Sequence, residues 1–509
     1  MILGLVSFVA VAVLVWGYNR AKPYGKLGLL SWLQSVALMA PWLLLFGLFA
    51  IGIYPNLAAV LLTVVASAAV YIWLGRQLRL MDTDPLATRR AAALVDTDPV
   101  AEAPHVAAPS NASSDTAPNP PSNTETSPST TDALDEGQPN PISAEDLAEI
   151  ETIFGIDTFF RTGTFPYETG AYFRGNLRGQ PDQTAAALSQ RLNDKLDNRY
   201  RFSLIEGPEG RPVAVVIPSE NDPQPLSGRQ KVLTVALAIA TLFTSLETGG
   251  ILLGFDVSQN WSRLPEVLPI ALGIWATLVG HELGHWWLAR RYQVKLTWPS
   301  LLPAWQIGSF GSITKFASLL PNRTVLFDIA FAGPAAGGGM ALTMLLLGLL
   351  FSHPGSYFQI PADFFQQSVL VGVLSRLTLG SSAFQADMID VHPLTIIGWL
   401  GLVITALNLM PAGQLDGGRI IQSIYGRKTA GRATIVTLVL LALVALGNPL
   451  ALYWAFIILF LQREPERPCT DDLSEPDDAR AALGLLMLFL MLTILLPLTP
   501  SLAGRLGLG

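Results

Sequence analysis

The chain has 509 residues, half of them hydrophobic, only 14% charged, with a formal net charge of -7. A soluble globular protein carries about 25% charged residues, so this composition and a mean hydropathy of +0.42 argue for a membrane protein. No basic stretch or aromatic ladder points to nucleic acid, and the single cysteine, Cys469, excludes an intrachain disulfide and any cysteine-based metal motif.

In chain order, residues 1–80 read as an N-terminal transmembrane anchor region with apolar runs at 2–16, 29–53 and 57–73. The first positive charges, Arg20, Lys22 and Lys26, follow the first run. That order predicts a retained anchor rather than a cleaved signal. Residues 81–141 are rich in Pro, Ala, Ser, Thr, Asn and Asp, which cannot bury enough apolar surface to order themselves, and read as a disordered linker.

Residues 142–226 read as a soluble α+β domain. Ser143 caps a short helix, 171–177 is a strand, 183–196 has helical periodicity, and 200–205 and 213–217 are strands joined by Gly207-Pro208-Glu209-Gly210. The domain and linker are expected to recruit or filter substrates, so deleting residues 142–219 should alter substrate choice.

Residues 227–509 read as the membrane-embedded core with the C-terminal transmembrane helices. Spans are expected at 233–253, 264–288, 329–351, 393–410, 433–446, 450–461 and 481–498, with Gly447-Asn448-Pro449 as the turn between two helices. The fold class is thus a polytopic α-helical membrane protein of about eight to ten transmembrane helices. Lys and Arg cluster after the span at 264–288 (Arg290, Arg291, Lys295, Lys315, Arg323) and after the one at 393–410 (Arg419, Arg427, Lys428, Arg432). The positive-inside rule then places both loops in the cytoplasm. Cys469 lies in a polar segment and reads as a spare surface residue.

His281-Glu282-Leu283-Gly284-His285 ends an apolar run long enough to span a bilayer. Two histidines at i and i+4 share one helix face and can hold one metal ion, and a Glu beside them can act on water at that metal. An ionisable residue in such a segment is costly and points to function. Two packed histidines and a structural ion pair are the competing reading, made improbable by the spacing. A catalytic zinc takes three protein ligands. Asp416, in the Gly-rich Leu415-Asp416-Gly417-Gly418-Arg419, is the candidate third, its competitor role being a helix cap or an Arg419 partner. Asn408 can donate to a substrate carbonyl or oxyanion, or link helices.

HELGH within a membrane helix, followed by Asn408-x-x-Pro411-x-Gly413-x-Leu415-Asp416-Gly417, resembles the site-2 protease family of intramembrane zinc metalloproteases. Gly175-Asn176-Leu177-Arg178 ahead of the core resembles the EGY-type branch of plants and cyanobacteria. The resemblance covers residues 171 to the C-terminus. It implies zinc held by His281, His285 and Asp416, with Glu282 as the catalytic acid/base. It also implies that the broken apolar stretch 298–316 is a membrane-dipping β element that pairs with unwound substrate, with Gly308, Phe310 and Gly311 as substrate contacts; an interfacial loop is the alternative. The Gly-rich 332–339, expected to open the next helix, suits close helix packing. His105, His353 and His392 are not expected to be ligands.

The resulting expectation is a polytopic zinc endopeptidase, with Zn2+ as cofactor, acting on single-pass transmembrane substrates amid lipid in a plasma or thylakoid membrane. Competing readings are a prenyl-protein-type zinc protease, a transporter or metal-binding membrane protein without proteolysis, and a non-catalytic scaffold.

Overall fold

A computed structural model gives the structure. It describes residues 142–498 apart from 168, 208, 209, 381–383 and 385, together with scattered positions between 17 and 77. The linker 81–141 and most of the first anchor region lie outside the described residues, so the expectations for them are neither supported nor opposed. The chain divides into two compact units, Met1–Thr131 and Asp132–Gly509. In the first, the described residues are helical.

Helix α1 (Ala144–Glu151) starts where the Ser143 side chain accepts from the Asp146 amide, satisfying one orphan donor of the first turn. Strands β1 (Phe159–Tyr167), β2 (Gly170–Leu177), β3 (Tyr200–Glu206) and β4 (Pro212–Pro218) form an antiparallel sheet in the order β1-β2-β4-β3. Helix α2 (Pro181–Leu196) covers it with Ala185, Leu188, Leu192 and Leu196, all buried in one core with Phe159, Phe173, Phe202 and Val216. Strand β1 was not anticipated. It is an edge strand with a register shift between Arg161 and Gly163 and a proline at 166, features that erase the period-2 signal. Gly175 in β2 is required by contact, since a Cβ there would lie 2.4 Å from the Phe160 carbonyl oxygen and 2.5 Å from the Phe159 ring.

Four described helices are long and apolar enough to cross a membrane: Gly228–Leu252, Trp261–Arg291, Arg323–Phe351 and Asp478–Leu495. We label them α3 (Gly228–Leu252), α4 (Leu264–Arg291), α5 (Arg323–Phe351) and, after those listed next, α10 (Asp478–Leu495). Between them come α6 (Val369–Leu379), α7 (Pro393–Asn408), α8 (Asp416–Val444) and α9 (Pro449–Ile457). The α8 and α9 helices are separate elements meeting at Asn448, whose side chain caps α9. Helix α8 starts well before the expected span and breaks at Gly426, where φ is 79°.

The stretch after α4 folds back as an antiparallel hairpin, β5 (Ser300–Ala304) and β6 (Gly308–Ile313), lying against α3. Its outer ladder continues through Thr297 N–H to Lys315 O at 2.9 Å and Ala317 N–H to Lys295 O at 2.7 Å. Between α5 and α7 the chain forms a second hairpin, β7 (Phe358–Pro361) with β8 (Met388–Val391), as well as α6.

Two expectations are corrected. Helix α5 does not open at the glycine stretch 332–339 but at Arg323, capped by Asn322, so the glycines lie well inside it. Cys469 is not on the surface: it is fully buried beside Ala289, Val294, Phe316 and Leu326. The polar segment 463–477 that carries it is wedged between the small sheet and the helical core. Thr470 O accepts from Leu204 N–H of β3 at 2.8 Å, while Thr470 N–H and Asp471 N–H bond Leu320 O and Pro321 O. Local polarity therefore misreports burial here, because the segment satisfies its backbone against two neighbours.

Candidate metal centre

Helix α4 turns one stripe inward and another outward. His281 and His285 are buried, while Leu283, Trp286 and Trp287 are exposed, as a helix at an apolar boundary requires. Asp416 comes from the first turn of α8, where the helix dipole favours a carboxylate. The three predicted ligands converge. His281 Nε2 and His285 Nε2 are 3.0 Å apart. Asp416 Oδ2 lies 3.1 Å from His281 Nε2, and Asp416 Oδ1 lies 3.3 Å from His285 Nε2. Tetrahedral zinc bound at about 2.0–2.1 Å separates its ligand atoms by about 3.3 Å. All three residues are at most 6% exposed, and they are the metal-capable cluster found among the described residues. The donor set therefore fits a three-ligand zinc site.

Close helix packing makes this convergence possible. A Cβ on Gly284 would sit 2.3 Å from the Ala332 carbonyl oxygen, one on Gly333 2.2 Å from His285 Nε2, and one on Gly337 2.8 Å from His281 Cβ. The glycine stripe of α5 is thus the floor beneath both histidines. Ile329 O from α5 lies 2.7 Å from His285 Nδ1. A proton on Nδ1 fixes the tautomer that leaves Nε2 free for metal. Pro334 removes the hydrogen bond that would return to Ala330, loosening the turn next to that carbonyl.

Glu282 is half-buried and accepts from two hydroxyls at the end of β6 away from the hairpin's bend: Ser312 Oγ, and Thr314 Oγ1 at 2.7 Å. Neither was anticipated from sequence. Their signal was present as two hydroxyls at i and i+2, which share one face of a strand.

Asn408 is 3% exposed at the end of α7. Its Nδ2 donates to Phe310 O at 3.2 Å and to Ile404 O at 2.9 Å. Both partners are carbonyls, so the nitrogen assignment is forced. With both amide hydrogens engaged, Asn408 ties the hairpin to α7 instead of presenting a free donor to an oxyanion. A Cβ on Gly311, where φ is +106°, would lie 2.0 Å from Asn408 Nδ2, so this tie needs glycine. Gly308 and Phe310 sit elsewhere. Gly308 O accepts from Thr244 of α3 at 2.6 Å, and the buried Phe310 ring stacks on Trp454 at 5.2 Å. The expected substrate contacts Gly308, Phe310 and Gly311 do not line the space beside Glu282; Ser312, Ile313 and Thr314 do.

Behind Asp416 lies a buried ion pair that was also missed. Arg419 Nη2 is 2.9 Å from Glu466 Oε2 and 2.8 Å from Thr314 O. Arg419 Nη1 is 4.0 Å from Asp416 Oδ1. The Arg419 guanidinium also stacks over Phe316, 4.6 Å from the ring centre. Glu466 is distant in sequence and reaches the site only because 463–477 folds back. His353 and His392 are far from the ligands: His392 caps α7, and His353 bonds within its own turn.

An apolar cleft of 660 Å³ opens between α3 and α4 and reaches Glu282 and Thr314, past Val235, Ala238, Leu278 and Leu283.

Comparison with known proteins follows the same division. Residues 148–225 match the family described as EGY3 middle domain, and residues 269–447 match Peptidase family M50. The chain is 39% identical over 356 residues to a protein of Arabidopsis thaliana named probable zinc metalloprotease EGY2, chloroplastic, covering 68% of this chain and 63% of that one. It is 35% identical over 402 residues to Arabidopsis thaliana probable zinc metalloprotease EGY1, chloroplastic, covering 70% of this chain and 72% of the relative. Against rice (Oryza sativa subsp. japonica) probable zinc metalloprotease EGY1, chloroplastic, identity is 33%, with 73% and 71% covered. No solved structure matches significantly.

Proposed function

Because the chain belongs to peptidase family M50, the site-2-type zinc metalloproteases, we propose that it hydrolyses peptide bonds of single-pass transmembrane proteins within the bilayer. One observation carries this reading. Glu282 stands beside three convergent metal ligands at the end of an apolar cleft that opens between two membrane-length helices. A transporter or inert metal site has no use for a carboxylate held ready by two hydroxyls next to, but outside, the ligand set.

The site residues take these roles in the proposal. His281, His285 and Asp416 hold zinc. A bound zinc ion supplies Lewis acidity, lowering the pKa of water and polarising a carbonyl. Glu282 takes the proton of the attacking water and returns it to the leaving nitrogen. Ser312 and Thr314 orient the Glu282 carboxylate, and Asn408 positions the hairpin that carries them. Arg419, held by Glu466, fixes the turn that presents Asp416. His281, His285, Asp416, Arg419 and Glu466 are buried, which strengthens the electrostatic contacts among them.

We take the chain to be an integral protein of eight to ten spans with an anchor at 1–80, a linker at 81–141, a soluble domain at 142–226 and the protease core at 227–509. The Lys and Arg following α4 support a site near the cytoplasmic face. The chloroplastic names of the relatives support a photosynthetic membrane, plasma or thylakoid. The test is a quantitative comparison of plasma and thylakoid membrane proteomes from cells carrying wild type or Glu282→Gln. Single-pass proteins should accumulate intact in the variant and their shorter fragments should vanish. If no intact protein accumulates and no fragment disappears under several growth and stress conditions, the proposal fails.

A further inference from the structure

Gln462 ends the apolar helix pair α9 and its continuation, and it does so in a π-helical turn, Ile458–Gln462. Such turns are rare and concentrate at functional sites, because they redirect one side chain. Here the redirected side chain is a glutamine that is 2% exposed. Among the described residues neither its amide nitrogen nor its amide oxygen has a hydrogen-bond partner. Burying an unpaired amide is costly because its hydrogen bonds to water are not replaced, so its presence needs a reason.

Its backbone is anchored. Gln462 O accepts from Gln414 N–H at 3.1 Å. A Cβ on Gly413, where φ is +48°, would lie 1.3 Å from that same oxygen. The loop that delivers Asp416 is therefore fastened to Gln462, which fixes the amide relative to the metal ligands. Two spaces meet at this point. Gln462, Gln414 and Ile313 line the small pocket containing Glu282 and Asp416. The same three line an adjoining cavity of 860 Å³, bounded also by Leu302, Lys315 and Arg427. A cavity of that size suits a ligand of several residues. It is more polar than the cleft between α3 and α4, having Gln230, Lys315, Arg427 and Glu466 in its wall.

We propose that Gln462 binds the main chain of the substrate beside the scissile bond, where the unwound segment runs from the catalytic pocket into the 860 Å³ cavity. A glutamine amide presents a carbonyl acceptor and an NH2 donor group, so it can pair with both the N–H and the C=O of a peptide group. An unwound substrate exposes a carbonyl and an N–H that have lost their helical partners, and the Gln462 amide pairs with both. Recognition is of the backbone and is independent of substrate side chains. The inference rests on the protease reading.

The test uses full-length, zinc-loaded Glu282→Gln protein in lipid nanodiscs, which cannot turn over. The probe is a fluorescent transmembrane peptide of about 24 Leu and Ala residues with a central Gly-Gly, together with its analogue carrying an ester in place of the central amide. The parent should bind the peptide saturably. Adding Q462M, a side chain of similar volume without the amide, should raise Kd about tenfold, equivalent to about 1.4 kcal/mol. The ester should weaken binding to the parent and leave binding to the Q462M protein unchanged. Thermal stability should hold or rise with Q462M, because no internal partner is lost. Equal affinity of the two proteins, or an ester penalty that survives Q462M, overturns the role of Gln462 alone. A marked fall in the melting midpoint would reveal a structural partner and also overturn it. Absence of saturable binding by the parent would strike the protease reading itself.

Discussion

Gly333→Ala is the most demanding single substitution for the metal centre. The added Cβ would lie 2.2 Å from His285 Nε2, 2.5 Å from Cε1 and 2.6 Å from Cδ2. Carbon contacts are comfortable at about 3.5 Å, so the ring must retreat by about 1 Å. It cannot retreat freely, because His285 Nδ1 is held to Ile329 O at 2.7 Å, on the same helix as the new methyl group. Metal sites tolerate ligand errors of about 0.2 Å. Overpacking of this kind costs about 1–3 kcal/mol in fold stability, and changes in outer-shell support alone weaken metal binding about 10–100-fold. Displacing a ligand outright should do at least the upper value. The control is Gly339→Ala, two turns along the same helix, where an added Cβ meets nothing within 4 Å. The assay is zinc content of the purified protein after equilibration against graded chelator, read alongside the melting midpoint. We expect G333A to lose zinc at chelator levels at least about 100-fold lower than wild type and G339A to match wild type. If G333A retains zinc as wild type does, the glycine floor beneath His285 is wrong.

Two further outcomes follow from buried groups outside the ligand set. Glu466→Gln removes the counter-charge 2.9 Å from Arg419, both residues being under 10% exposed. An orphaned buried charge costs about 3–5 kcal/mol, so the unfolding midpoint should fall sharply, and Arg419→Met combined with Glu466→Met should recover most of the loss; an unchanged E466Q would remove the pair from the account of Asp416. In the small sheet domain, burial and the hydrogen bond donated to Asp146 at 2.7 Å push the Tyr200 hydroxyl from 10.0 up to about 12. A proton held more tightly in the folded state stabilises fully below the unfolded value and is lost as pH rises through the folded one, so this contribution should disappear between pH 10 and about 12. Ultraviolet titration should lose a late tyrosinate component on Tyr200→Phe; a titration unaltered by Y200F would refute it.

What could be read in advance was whatever the chain states locally. His281 and His285 lie four residues apart, so their common face, with Glu282 beside it, follows from helix geometry alone. The Gly-rich Leu415-Asp416-Gly417 announces a tight turn at the head of a helix, and the helices α2, α3, α4 and α7 announce themselves by periodicity or by long apolar runs. Strand β1 did not, because its bulge and proline erase alternation. Cys469 was misplaced because a polar segment can be buried when two neighbours satisfy its backbone. Gly308 and Phe310 have the same strand parity as Ser312 and Thr314, so alternation could not separate them; only the tertiary packing says how far along the hairpin Glu282 lies, and it sets Ser312 and Thr314 beside it.

The sequence by itself set out the candidate chemistry: two His and an Asp as ligand types, a Glu beside them, and an apolar setting. The tertiary structure alone decided what holds and surrounds that chemistry. It brings α5 under the histidines through glycines that leave room for the rings, and returns Glu466 to Arg419 across 47 residues. It also turns Gln462 inward through one π-helical turn. These are contacts between segments distant along the chain, fixed by close packing, and no local pattern of residues encodes them.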